Sequence, residues 1–169
     1  MATTNNVAYG TYTAVTVTAL QSLPSSATAG WQSAIIDNQT SVKALDYEIF
    51  VKLTTANTAP ANDKQMYVYI APAMTTDGGT TWLIADQGTT VLLGTSQATT
   101  TIASPNSLKL LGVLPYTTQN MTVQGNFLLS NAFGQFMSDG FVIVIINFSG
   151  AGLSTSCVVA YRAITETNT

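Results

Sequence analysis

Along the chain, apolar residues recur at every second position far more than at every third or fourth. Leu45, Tyr47, Ile49, Val51 and Leu53 alternate with Asp46, Glu48 and Lys52, and only Phe50 breaks the rhythm. Successive strand side chains leave opposite faces, so the alternation predicts a half-buried β-strand over 42–54. Met121, Val123, Phe127 and Leu129 repeat it, with Gly125 as the sign of a bulge or a close backbone approach. Cys157, Val159, Tyr161 and Ala163 make a third alternating face. Phe141 to Ile146 is apolar throughout, which predicts a strand covered on both sides.

Shorter strands are expected at 8–20, 31–36, 65–71, 82–85, 90–95 and 108–114, and a single helical turn at 131–136. Turn signals separate them: Asp37-Asn38, Ala59-Pro60 to Asp63, Asp77-Gly78-Gly79, Ser104-Pro105-Asn106 and Ser149-Gly150-Ala151-Gly152. There is no internal repeat and no long linker. The pattern predicts one all-β domain over 1–169, with residues 1–7 as an extended N-terminal arm. About eight or nine antiparallel strands imply a two-sheet β-sandwich of jelly-roll type.

Composition sharpens this picture. Threonine is the commonest residue, and glutamate occurs only at Glu48 and Glu166, a mix that suits a pleated surface better than a helix. Only 8% of residues are charged, against roughly 25% in an ordinary globular domain, so hydroxyls and amides take over the solvating role. Five Lys and Arg against eight Asp and Glu give a net charge of −3. So few cations cannot neutralise a row of phosphates, and no nucleic-acid partner is expected. With no histidine and a single cysteine, neither a Ser–His–Asp triad nor a His- or Cys-ligated metal site is expected. The opening MATTNN has no basic segment followed by an apolar one, so no secretion signal is expected. The longest apolar run is far short of the roughly 18 residues that cross a bilayer, so no membrane partner is expected.

Candidate chemistry is sparse. Asp46 and Glu48 leave one strand face together, as a glycosidase carboxylate pair would, although outward strand positions are polar by default. Thr75 to Trp82, TTDGGTTW, resembles the Asp-box of sialidases, a structural hairpin in which the Asp and glycines close the turn. A sialidase would also need an arginine cluster, and this chain has one arginine, so the segment reads as a turn. Cys157 reads as a small buried hydrophobe. Trp31, Trp82 and the paired Tyr67 and Tyr69 could stack on sugars, but the same spacing suits a core. Asn38, Asn120 and Asn147 begin glycosylation sequons that an Asn- and Thr-rich chain produces by chance. A weakly charged surface also suggests cover by other subunits in the working state.

Two stretches carry a family resemblance. Ala44 to Trp82, including MYVYIAPAMTTDGG, and Leu108 to Ile164, including LLGVLP and GFVIVIINFSGAGLS, resemble small jelly-roll proteins that decorate or cement the heads of tailed bacteriophages. The resemblance implies a viral structural protein on the outer surface of the virion head, present in the host cytoplasm during assembly. Its partners would be the major capsid protein, clamped across neighbouring copies, and itself as a homodimer or homotrimer. It implies no enzyme activity, no cofactor and no metal. A phage tail or fibre module that binds glycans is the alternative. Contact residues are expected in the N-terminal segment, at Val7, Tyr9 and Tyr12, and at loop tips.

Overall fold

The alternation at 45–53 folds as β5 (Asp46–Thr54), in which Tyr47, Ile49, Val51 and Leu53 are buried and the residues between them half-buried. In the computed structural model, which describes residues 5–40, 43–61, 64–84, 95–98, 108–134 and 137–168, β5 is central to one of two sheets. Around it come β1 (Asn5–Tyr9), β2 (Thr13–Ala14), β10 (Thr122–Leu128) and β12 (Val158–Asn168). The order is β1-β12-β5-β10, with β2 also on β12. The second sheet holds β3 (Gly30–Gln32), β4 (Ile36–Asp37), β6 (Gln65–Thr75), β7 (Trp82–Ile84), β8 (Gln97–Ala98), β9 (Lys109–Pro115) and β11 (Gly140–Phe148). Its order is β7-β6-β11-β3-β8, with β4 also on β11 and β9 also on β6. Every pairing is antiparallel. The fold is an all-β two-sheet sandwich, and the chain changes sheet between β2 and β3, β4 and β5, β5 and β6, and at each step from β9 to β12.

The inner faces meet in one core. Ile49, Val51, Leu53 and Val159 of the first sheet oppose Met66, Val68, Ile70, Ile143 and Ile145 of the second, and Trp31 is wholly enclosed. The Tyr47 and Phe141 rings bridge the sheets edge to face at 5.1 Å. Each such aliphatic or aromatic side chain contributes about 1.5–3 kcal/mol on burial. β11 is buried on both sides, as its uninterrupted apolar run predicts. Phe141, Ile143 and Ile145 enter the core, while Val142, Val144 and Ile146 join Ala71 and Leu108 in a second cluster outside it.

Among the described residues, twelve strand segments stand where the pattern predicts eight or nine, because five of them are only two or three residues long. The expected 31–36 strand divides into β3 and β4, with the Ser33 hydroxyl accepting a hydrogen bond from Ile143 N–H between them. The strand expected to stop at 71 continues through Pro72 to Thr75. Pro72 is tolerated because it falls between β9, which pairs with Gln65 to Ile70, and β7, which pairs with Ala73 to Thr75. The helical turn is α1 (Ser130–Phe133), shorter than 131–136 and starting earlier, because Asp46 accepts hydrogen bonds from Ser130 N–H (2.9 Å) and Ser130 Oγ (2.6 Å). Of the expected arm, residues 1–4 lie outside the described residues and 5–7 pair with β12. The expected strand at 90–95 lies outside them except for its last residue.

Gly125 marks a close approach and no bulge. The β10–β5 register is unbroken, and the Phe127 ring fills the space that a Cβ on Gly125 or on Gly112 of β9 would need. The two glycines make the slot by which the β10 edge of one sheet locks onto the β9 edge of the other.

Candidate interaction surface

Of the expected 8–20 strand, only the end of β1 and the two residues of β2 are strand, both on β12, and 18–20 form a turn; the joint between β1 and β2 shapes the surface. Tyr9 faces Ile164 and Thr13 faces Tyr161, so the three residues Gly10 to Tyr12 oppose only two on β12, Arg162 and Ala163. The extra residue is a bulge across Gly10 to Tyr12. In an unbroken strand, residues 9 and 12 would leave opposite faces. The bulge puts Tyr9 and Tyr12 on the same outer face, with Val7 on the same side as Tyr9. All three are exposed, at 62% for Val7, 59% for Tyr9 and 43% for Tyr12.

Arg162 of β12 organises this face. Its guanidinium carbon lies 4.8 Å from the ring centre of Tyr9 and 4.8 Å from that of Tyr12, within cation–π range of both. Arg162 Nε donates to Glu48 Oε2 at 2.6 Å, and a second guanidinium nitrogen reaches the same oxygen. Asn126 Nδ2 donates to Glu48 Oε1 at 2.8 Å and to the Tyr12 hydroxyl at 3.4 Å. The Tyr12 ring meets Phe50 edge to face at 6.2 Å. Burial opposes ionisation of Glu48, but the Asn126 amide, the Arg162 guanidinium and the Tyr12 hydroxyl together hold its carboxyl below the ordinary value. The hydrogen bond to Glu48 and that residue's charge raise Arg162 further. The result is an aromatic face on which Arg162 and Glu48 hold each other, and apolar Val7, Tyr9, Tyr12 and Leu128 remain exposed.

The other candidates have structural employment. Asp46 caps α1 through Ser130 and accepts from Tyr47 N–H at 2.8 Å, while Glu48 is held by Arg162 and Asn126. The two carboxylates share a face but serve different neighbours. In the TTDGGTTW turn, Asp77 Oδ1 accepts from Thr80 N–H, Thr81 N–H and Thr75 Oγ1, and Trp82 Nε1 donates to Gly79 O at 3.0 Å. Those bonds, led by Thr81, bring the Asp77 carboxyl down to about 2. Trp82 packs against Gly140, where a Cβ would lie 2.7 Å from its ring. Cys157 is buried and its thiol is pushed up by burial. Tyr67 and Tyr69 stack at 6.2 Å, but they are half-buried against the Val142 cluster. Asn147 is fully buried and donates to Leu23 O and Ala151 O, and Asn38 is buried and accepts from Ala44 N–H and the Tyr47 hydroxyl. Neither presents an amide for glycosylation.

A cavity of about 280 Å3 opens beneath the bulge, lined by Gly10, Thr11, Thr13, Asp37, Tyr47, Tyr161 and Ala163. Burial and the nearby charges of Tyr161 and Asp37 push the Tyr47 hydroxyl up to about 12. Thr40 and the backbone N–H groups of Gln39 and Thr40 occupy the Asp37 carboxylate and overcome its partial burial, lowering its pKa. Among the described residues, no cluster of three Cys, Asp or Glu side chains could hold a metal ion, and no helix is long and apolar enough to cross a membrane.

No protein-family model matches the chain, and no curated protein sequence matches it. Sequence reasoning named Val7, Tyr9 and Tyr12 but missed Arg162, Glu48 and Asn126 as their support. The alternation did place Arg162 and Glu48 at outward positions. Their adjacency depends on the β12–β5 register, in which Arg162 faces Glu48.

Proposed function

We propose that this chain is a viral structural subunit that docks on other subunits through the outer face of its β1-β12-β5-β10 sheet. The partner that fits the sequence resemblance is the major capsid protein of a tailed-phage head, bound from outside and clamped across adjacent copies. One observation carries the reading: Val7, Tyr9 and Tyr12 are exposed on a single face, around an Arg162 that is paired with Glu48. Exposed tyrosines held in place by neighbours lose little side-chain entropy on docking, and aromatic residues are enriched where binding energy concentrates. Individually weak contacts repeated over a rigid lattice sum to tight retention. The interleaved order β3-β11-β6-β9 supports the jelly-roll description, since it alternates strands distant in sequence.

The test is co-sedimentation of the purified chain with expanded heads. Saturable, near-stoichiometric binding is expected, and the Tyr9→Ala, Tyr12→Ala double variant should bind at least about tenfold more weakly while keeping its thermal midpoint within a few degrees. Binding that is unchanged in the double variant, or labelling confined to tails, overturns the reading. Retention on host polysaccharide that disappears in the same variant would assign the face to glycan binding.

A further inference from the structure

We propose that β1 pairs antiparallel with β1 of a second copy, joining two first sheets across a two-fold axis centred on Val7. The proposal rests on the subunit-docking reading for its context, and on the edge geometry for its content. β1 pairs with β12 alone among the described strands, so one side of it is a sheet edge. Gly10 N–H donates to Ala163 O at 2.9 Å. Bonded and non-bonded pairs alternate in an antiparallel ladder. With Tyr9 opposite Ile164 and Val7 opposite Glu166, the backbone N–H and C=O of Val7 and Tyr9 therefore point away from β12.

Exposed edges are normally guarded by charge, proline or a bulge. The β9 edge has all three kinds of guard: Lys109, Pro115 and a register shift opposite Val68 and Tyr69. The β10 edge is closed differently, by Phe127 in its glycine slot against β9. β1, with the sequence NNVAY, has neither charge nor proline nor glycine, and its bulge lies beyond its end.

A second copy is the occupant because the edge complements itself. Setting Val7 opposite Val7 of the other copy sets Tyr9 opposite Asn5 and Asn5 opposite Tyr9. All three are then bonded pairs, giving about six backbone hydrogen bonds with no outward group of β1 left over. Val7, the most exposed apolar residue of the strand, is covered at the axis. The nearest ionised groups, Glu166 and Arg162, lie one strand back, so no like charges meet across the junction. This isologous arrangement is what a closed dimer requires. It also lines up two Tyr9–Arg162–Tyr12 faces in one continuous surface.

Two experiments on the full chain test it. The first is sedimentation velocity over a concentration series, with Val7→Pro as the variant. Proline there removes an N–H that points away from β12, so β1 stays paired and the fold is kept. The expected result is a dimer in the parent chain and self-association at least about tenfold weaker in V7P. The second is mild oxidation of Val7→Cys and, separately, of Ala8→Cys; native Cys157 is buried at 3% exposure and does not compete. Facing Cα atoms in a bonded pair are roughly 5.5 Å apart, within disulfide reach. Ala8 faces Asn6 of the other copy, which leaves the two Ala8 positions beyond that reach. V7C should form a covalent dimer and A8C should not. A monomer at every concentration, a dimer insensitive to V7P, or equal cross-linking at both positions overturns the proposal. These readings use the purified chain alone, so they stand or fall separately from binding to heads.

Discussion

Arg162 shows how one residue can support a surface without being its most exposed part. Its planar guanidinium lies within cation–π range of two phenol rings while two of its nitrogens reach Glu48 Oε2, a geometry lysine cannot reproduce. Removing it leaves the Glu48 carboxylate with Asn126 as its main partner and frees both rings. Arg162→Leu should lower the thermal midpoint and loosen Tyr9 and Tyr12, seen as faster ring averaging by NMR. Arg162→Lys should recover part of the stability and little of the ring order. Tyr47 offers a cleaner energetic test. Its hydroxyl donates to Asn38 Oδ1 at 3.0 Å, and that oxygen keeps a second donor, Ala44 N–H, at 2.8 Å. Tyr47→Phe should therefore cost only about 1 kcal/mol in urea unfolding. In the parent chain the raised Tyr47 value has a definite sign. A phenol that titrates near 12 when folded and at 10.0 when unfolded stabilises the fold fully below pH 10, and that contribution is lost as pH climbs through 12. Alkaline unfolding should coincide with tyrosinate absorbance, and Y47F should move it to higher pH.

At the scale of elements, the fold depends on a few tight contacts between strand ends. The β6–β7 hairpin is tied by Asp77, whose depressed carboxyl gives the opposite sign to Tyr47. Its contribution is present above the ordinary value of 3.8 and is lost as pH falls toward 2. Amide exchange at Thr80 and Thr81 should accelerate over that window, and Asp77→Asn should show fast exchange there at neutral pH. The Phe127 slot joins β9 to β10, so Gly112→Ala, whose methyl would overlap the ring, should destabilise by about 1–3 kcal/mol. A variant as stable as the parent would show that the ring has room to move. The alternating pattern located β5, β10, β11 and β12 to within a few residues, apart from the C-terminal end of β12. It missed the passage of β6 through Pro72, because that depends on where β9 ends and β7 begins. It read 8–20 as one strand, because no local signal marks the extra residue against β12 or the end of pairing after Ala14.

For the molecule as a whole, scarcity of charge is the governing property. At −3 overall, with Arg162 already paired to Glu48, the protein has little long-range field for salt to screen. Docking through the first sheet should change little in affinity between low and moderate ionic strength. A steep loss with salt would place the contact on the lysines instead of the tyrosines.

The sequence by itself determined the class of this protein: alternation set the strands, an unbroken apolar run set the doubly covered β11, and the missing histidines and cations narrowed the chemistry. Those are local or additive properties, readable one residue at a time. Only the tertiary structure decided which outward residues meet. Tyr9, Glu48, Asn126 and Arg162 come from four strands far apart along the chain, and a one-residue bulge between β1 and β2 brings Tyr12 to their side. Register is a relation between strands, fixed by the packing of the whole sandwich, and no single strand's sequence carries it.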